Sequence, residues 1–228
     1  MWKFTFLFLI IILSCRSDDL SPDPGSVGYL FFPLELGSFI EYEVEETMYQ
    51  FELETITNFQ RRTEVVDSFI NQAGEITYVI HQFERTFSDQ EWDFVQTNSA
   101  RLTATQGILI EGNLPLLKLS FPIAAGKIWD GNALNTMDKD EFAMDSLFSV
   151  YITQAQDTIS ETLTVIQEDN QDFVVNLVTN YEIYGLGIGL VYKEEVNLRY
   201  CTADDCIGQQ RIDNGRIVKQ SLINYGQE

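Results

Sequence analysis

Three cysteines and one histidine are the side chains with the most specific chemistry in this 228-residue sequence. Cys201 and Cys206 enclose Thr-Ala-Asp-Asp, a polar, turn-like stretch that can bring two Cα atoms within the roughly 4.4 to 6.8 Å of a disulfide. With Cys15 committed elsewhere they form an even pair, and we predict a disulfide between them as a local staple on a surface loop. We predict no metal site, because two thiols and the distant His81 do not complete a tetrahedral ligand set.

Cys15 ends an N-terminal pattern that is typical of a secreted bacterial protein. Lys3 precedes an apolar run from Phe4 to Leu13 that is too short to span a bilayer. Ile12-Leu13-Ser14-Cys15 then resembles the lipobox of bacterial lipoproteins. This resemblance implies a signal peptide at residues 1–14 and lipidation of Cys15 with several acyl chains, such as palmitate, which together anchor a protein stably. An ordinary secreted protein whose Cys15 merely lies near the cleavage site is the alternative.

Residues 15–28 form a predicted acidic tether between this anchor and the folded part. Ser17-Asp18-Asp19 resembles the surface-export signal of Bacteroidetes lipoproteins, while Pro22, Pro24 and Gly25 favour an extended chain. We therefore expect a lipid-anchored protein of the outer membrane that is displayed at the cell surface. If that signal is not used, the protein faces the periplasm.

The chain is strongly acidic, with 14 Lys and Arg against 35 Asp and Glu and a formal net charge of −21. Removal of residues 1–14 takes away one lysine and no acidic residue, so the mature chain is slightly more acidic still. Such a surface repels nucleic acid and anionic lipid headgroups, and the basic residues form no patch. The expected partners are therefore the membrane, through the lipid anchor, and an unknown ligand or protein, but not nucleic acid.

The sequence contains no recognisable catalytic constellation. His81 has no second histidine for a relay, and Gly-x-Ser-x-Gly is absent. The acidic stretches at Asp130 and Asp138 do not fit the EF-hand register, so we predict solvated loops there. We expect neither enzymatic activity nor a cofactor. An enzyme acting on glycans, with Trp92 and Trp129 stacking on sugars and two carboxylates doing the chemistry, stays open as an alternative.

Alternation of apolar and polar residues predicts the elements that position these side chains. Ile40, Tyr42 and Val44 fall on one face of such a run, with glutamates between them on the other. No window carries a sustained helical periodicity. We predict one mainly β domain at residues 29–228, an antiparallel meander of ten or more strands that curls into a barrel, a half-barrel or two packed sheets.

Glycine and asparagine mark the predicted bends and turns. Glycines at every second position from Gly185 to Gly189 predict a kinked core strand, with large aromatic side chains lying over its bare face. Asn71-Gln-Ala-Gly-Glu predicts a hairpin loop. Asn214-Gly215 predicts a two-residue type I′ hairpin turn, since both residues tolerate positive φ.

Three motifs rich in glycine and aromatic residues are spread along the chain. They read Phe-Pro-Leu-x-x-Gly at 32–37, Phe-Pro-Ile-x-x-Gly-Lys-x-Trp-Asp-Gly-Asn at 121–132, and Ile-Tyr-x-x-Gly-Ile-Gly-Leu-Val-Tyr-Lys-Glu at 183–194. With the lipobox, they resemble a family of uncharacterised Bacteroidetes lipoproteins, from which no activity and no functional residue can be transferred. The first two motifs are near-repeats, which raises the hypothesis of two similar halves.

The leading functional hypothesis is a non-enzymatic envelope lipoprotein that binds a ligand or a partner through a curved β sheet. Lipoprotein carriers whose half-barrels hold an acyl chain are its closest physical analogy, at the level of fold alone. The enzyme acting on extracellular glycan is one alternative. A structural component of an outer-membrane complex is the other, and it predicts a large exposed apolar patch instead of a pocket.

Overall fold

A computed structural model of the protein describes residues 24–51 and 53–228. The predicted signal peptide, Cys15 and the acidic residues after it lie outside the described residues. The described chain begins with a short helix, α1 (Pro24–Val27), and a 3₁₀ turn (Tyr29–Phe31). The strands that follow are β1 (Ser38–Gln50), β2 (Leu53–Ile70), β3 (Ile76–Arg85), β4 (Asp93–Leu102), β5 (Gln106–Glu111), β6 (Leu114–Ser120), β7 (Ile128–Asp130), β8 (Glu141–Ile152), β9 (Thr158–Asn170), β10 (Asn176–Gly185), β11 (Gly189–Tyr200) and β12 (Ile212–Gln227).

These strands form one antiparallel sheet in the order β6-β5-β4-β3-β2-β1-β12-β11-β10-β9-β8-β7. The two ends of the sheet approach each other. The amide of Leu117, on β6, donates a hydrogen bond to the carbonyl of Gly131, just after β7, at 2.9 Å. Trp129 Nε1 donates to the carbonyl of Leu117, also at 2.9 Å. The predicted meander is therefore confirmed, and it curls into a nearly closed barrel. In the described part of the chain, no helix has the length and apolar character needed to cross a membrane.

The inner face of the barrel follows from the alternation seen in the sequence. Tyr42 and Val44 on β1 are 2% and 0% exposed, whereas Glu45, which follows Val44 and points to the other face, is exposed. A larger apolar core lies where β5 to β10 meet the N-terminal segment. Its buried members are Phe31, Ile108, Leu117, Leu119, Phe121, Trp129, Phe142, Met144, Leu163, Val165 and Tyr184.

Contacts with the barrel begin before residue 29, inside the stretch assigned to the tether. Val27 packs against the core, and its carbonyl accepts a hydrogen bond from the amide of Ile123 at 3.0 Å. The two near-repeats occupy equivalent places along the chain, because the motif at 32–37 precedes β1 and the motif at 121–126 precedes β7. Each copy thus leads into six consecutive strands.

The predicted hairpin turn at Asn214-Gly215 is wrong. Both residues lie within β12, where Gly215 pairs with Leu198 on β11 and with Tyr49 on β1. A Cβ at Gly215 would lie 2.3 Å from the carbonyl oxygen of Asn197. The glycine therefore permits a close approach of two backbones. The chain turns earlier, in the loop between Tyr200 and Ile212.

The kinked strand predicted from Gly185 to Gly189 is also wrong. This stretch is the hairpin turn that joins β10 to β11, and Gly187 and Gly189 have φ of +74° and +95°. Glycine tolerates such values because it has no Cβ. The predicted hairpin loop at 71–75 is confirmed, with the amide of Asn71 donating to the carbonyl of Glu75 at 2.9 Å.

Candidate functional site

The barrel encloses a cavity of about 440 Å³, within the size range of small-molecule sites. Side chains of β1 to β6 and β10 to β12 line it. At the end of the barrel where β1 begins and β10 ends, two segments complete the lining, residues 30–35 and the turn at 187–189. We call these two segments the cover. Two of the lining residues, Leu30 and Tyr225, are 43% and 53% exposed.

The two segments of the cover are held to each other and to the barrel. The amide of Gly187 donates a hydrogen bond to the carbonyl of Leu30 at 2.8 Å. Phe31 is fully buried in the apolar core. A Cβ at Gly189 would lie 3.6 Å from Pro33, so the turn rests directly on the N-terminal segment. The cover is therefore a packed part of the fold.

The cover and the wall of the cavity differ in chemistry. The cover contributes mainly apolar side chains, those of Leu30, Phe32, Pro33, Leu34 and Ile188. The wall also carries polar and charged side chains, namely Tyr42, Arg61, Thr63, Gln82, Asn98, Glu111, Lys118, Glu182, Lys193 and Gln220. Such a cavity suits a molecule with both an apolar and a polar part.

Glu182 is the centre of the polar wall. It is 1% exposed and pairs with Lys118, which is 6% exposed, while the hydroxyl of Tyr184 donates to Glu182 Oε2 at 2.5 Å. Burial by itself would raise the pKa of Glu182, but the positive charges of Lys118 and Lys193 outweigh it and the pKa is lowered. Burial and the Glu182 charge raise the pKa of Tyr184, so its hydroxyl stays protonated and donates.

The other two cations of the wall are paired with carboxylates as well. Arg61 Nη2 donates to Glu84 Oε1 at 2.7 Å, and its Nη1 donates to Gln220 Oε1 at 3.0 Å. Lys193 Nζ lies 2.7 Å from Glu195 Oε1. Each cation that lines the cavity within the described residues therefore already has an acidic partner.

Asn98 is the residue of this wall that has a buried side-chain atom without a hydrogen-bond partner. It lies on β4, is 5% exposed, and its Oδ1 has no hydrogen-bond partner. The described residues contain four other buried side-chain atoms without a partner, and none of them lines the cavity. A buried acceptor without a donor is unfavourable by roughly 1 to 3 kcal/mol, so a ligand that donates a hydrogen bond would relieve this penalty.

The sequence-predicted site residues lie away from the cavity. Cys201 and Cys206 form the predicted disulfide in the loop between β11 and β12, with their Cα atoms 5.8 Å apart. His81 lies on β3 with its ring centroid 5.3 Å from that of Phe94. The described residues contain no group of three or more His, Cys, Asp or Glu able to hold a metal ion. Cys15 is outside the described residues.

Trp129 and Trp92, which the glycan-enzyme alternative requires for sugar stacking, both pack against other side chains of the protein. Trp129 is 8% exposed and packs edge-on against Phe142, with ring centroids 6.1 Å apart. The guanidinium of Arg85 covers the ring of Trp92, at 4.0 Å from its centroid. Trp129 is therefore closed to a sugar ring.

Sequence reasoning missed the cavity residues because their signal is weak. Lys118 interrupts the apolar run of β6, and Glu182 lies between the apolar positions of β10. A single charged residue between apolar or aromatic neighbours is the signal that each of them leaves in the sequence. Their pairing joins strands that are 64 residues apart in the chain, a relation that local patterns do not contain.

Comparison with known proteins gives no functional assignment. No family model matches the chain, and no curated protein matches it. A crystal structure from Bacteroides fragilis NCTC 9343, provisionally described as an exported protein with a YmcC-like fold, has 12% identity and a TM-score of 0.49, covering 86% of this chain and 99% of the other. Another from Parabacteroides distasonis ATCC 8503, provisionally described as a lipoprotein, has 11% identity and a TM-score of 0.43, covering 86% and 98%.

Proposed function

We propose that this protein is a non-enzymatic, lipid-anchored lipoprotein of the cell envelope that binds a small molecule inside its barrel. The observation that carries the proposal is the cavity with Asn98 Oδ1 unpaired in its wall. Small barrels fill their interior with side chains, whereas larger ones enclose ligand cavities. The polar wall supports the same role, because a few placed polar groups in a mostly apolar pocket are what give small-molecule sites their specificity.

Native mass spectrometry of the chain isolated from its own cells tests this function. We expect the wild type to carry a bound small molecule. Ala100 lines the cavity from β4 and is fully buried, so Ala100→Phe should fill the space and release the molecule. Val95, on the same strand, is 45% exposed, so Val95→Phe is the matched control and should keep it. A wild-type chain that is always empty would contradict the proposal.

The predicted anchor is tested separately, on Cys15. We expect Cys15→Ala to move the protein from the membrane fraction to the soluble fraction, because the acyl chains would have no attachment site. Surface proteolysis of intact cells checks display, which Ser17-Asp18-Asp19 predicts. Unchanged membrane association of the variant would contradict the anchor, and protection from the protease would place the protein on the periplasmic side.

A further inference from the structure

We infer that the ligand of this cavity is an uncharged amphiphile, with one hydrocarbon chain and a head that carries hydroxyl or amide N–H groups. This inference rests on the proposed function and specifies its ligand class. Three features of the cavity carry it: the paired cations of the wall, the unpaired acceptor of Asn98, and the apolar cover.

The cations of the wall are not free to recognise an anionic head. Lys118, Arg61 and Lys193 are each bonded to a carboxylate. An anionic ligand would have to compete with the carboxylate that each cation already has. For Lys118, whose pair with Glu182 is buried, removing that partner is unfavourable by several kcal/mol. A cationic ligand would meet these three cations as like charges, and among the described wall residues only the carboxylate of Glu111, which has no ion pair, would offset that repulsion. A neutral head leaves the pairs intact.

Asn98 specifies what the neutral head must provide. Its Oδ1 is a buried acceptor, so the matching ligand atom is a donor such as a hydroxyl or an amide N–H. An ionised carboxylate has only acceptors, so it could bond to the amide Nδ2 of Asn98 but would leave Oδ1 without a donor. Thr63, Gln82 and Gln220 also line the wall and present further uncharged donors and acceptors to a head of this kind.

The apolar part of the ligand matches the cover. Leu30, Phe32, Leu34 and Ile188 line the cavity there. An apolar cavity of about 150 Å³ holds benzene, so a cavity of about 440 Å³ has room for roughly 18 non-hydrogen atoms. A ten-carbon acyl chain on glycerol has about that number.

Titration calorimetry of the delipidated Cys15→Ala chain tests the ligand class with three probes that share a ten-carbon chain: 1-decanoylglycerol, decanoate and decyltrimethylammonium. We expect the glycerol ester to bind at least tenfold more tightly than either charged probe. Asn98→Leu should weaken binding of the ester about tenfold and leave decanoate binding unchanged. Asn197→Leu, at an exposed position on β11, is the matched control and should change neither affinity. If Asn98→Leu does not fold, Ala100→Phe replaces it and should abolish binding of the ester.

The outcomes separate the ligand class from the proposed function. Equal or tighter binding of decanoate or of the cation would overturn the uncharged head but leave a ligand-binding barrel. If Asn98→Leu does not change the affinity for the ester, the role of Asn98 in recognising the head group would be overturned. If no probe binds while native mass spectrometry detects a bound molecule, the class is wrong and the function stands. If no probe binds and the native protein is empty, both are wrong.

Discussion

Lys118 and Glu182 form a buried ion pair in the wall of the cavity. Removing two charges from water is unfavourable, and the loss is repaid only when geometry and hydrogen bonds are good. Here the carboxylate receives both the ammonium of Lys118 and the hydroxyl of Tyr184. A stable fold could be built with apolar residues at these positions. We interpret the pair as a means of keeping the cavity wall polar.

Removal of one partner of this pair should be far worse than removal of both. Lys118→Met leaves the Glu182 carboxylate uncompensated, and we expect a loss of about 3 to 5 kcal/mol in the free energy of unfolding. In the double variant Lys118→Met, Glu182→Leu, no uncompensated charge is left, so most of that loss should be recovered. Urea denaturation of the three proteins at pH 7 measures both values. Equal destabilisation of the single and the double variant would contradict this account.

The pH dependence of stability should reveal the lowered pKa of Glu182. A carboxyl whose pKa is lower in the folded state than its ordinary value of 4.5 contributes stability above that value and loses it as the pH falls through the folded pKa. Glu182→Gln lacks this contribution. The difference in unfolding free energy between wild type and variant should therefore be largest near neutral pH and shrink below about pH 4. A difference that grows on acidification would show that the folded pKa is raised instead.

At the scale of elements, β12 depends on one glycine for its place between β1 and β11. Gly215 has φ of +151°, and a Cβ there would meet the carbonyl oxygen of Asn197 at 2.3 Å. The neighbouring backbone cannot yield without breaking the ladder. Gly74, in the loop between β2 and β3, also has positive φ, at +82°, but open space around it.

These two glycines allow strain and steric overlap to be separated. Gly74→Ala should lower the free energy of unfolding by about 1 kcal/mol, the strain of a positive φ alone. Gly215→Ala should lower it by more than about 3 kcal/mol, because the backbone of β11 must move as well. Thermal or urea unfolding of both variants measures the difference. A similar small loss in both would mean that β11 and β12 separate easily.

The loop between β11 and β12 is held by the disulfide, and its contribution should be modest. In the loop-entropy model, a closed loop of about six residues stabilises by about 2 kcal/mol. We expect the double variant Cys201→Ser, Cys206→Ser to fold with a loss of that order and to keep the barrel. Thiol labelling without reductant should find no free thiol in the wild-type loop. A double variant that cannot fold would show that the bridge is more than a local staple.

At the scale of the whole molecule, the fold class could be predicted because apolar and polar residues alternate along individual strands. Residues such as Tyr42 and Val44 reveal a strand with one buried face, and turn residues such as Asn71 reveal a hairpin. Closure could not be predicted, since the pairing of β1 with β12 and the approach of β6 to β7 depend on the shape of the complete sheet. The turn prediction at Asn214-Gly215 was wrong because this dipeptide suits either a hairpin turn or a close approach of two backbones. Which of the two occurs depends on the neighbouring strand, β11.

The candidate site was harder to predict than the fold. The cavity exists because strands from both halves of the chain curve around it and the cover lies across one end. In the sequence, its polar and charged residues look like ordinary residues of a strand. Cys201 and Cys206 could be predicted because their partners are five residues apart, whereas Lys118 and Glu182 find each other only in the closed barrel.

The pairing of β1 with β12 also bears on how quickly the protein can fold. Ser38 lies opposite Gln227, so the central ladder of the sheet joins the two ends of the described β structure. Topologies dominated by such distant contacts fold slowly, in milliseconds to seconds for small domains, because the entropy of closing a long loop must be overcome first. Until β12 arrives, the edge of β1 that faces it has no partner. Because an unpaired strand edge invites pairing with another chain, we expect refolding yields to fall steeply as protein concentration rises.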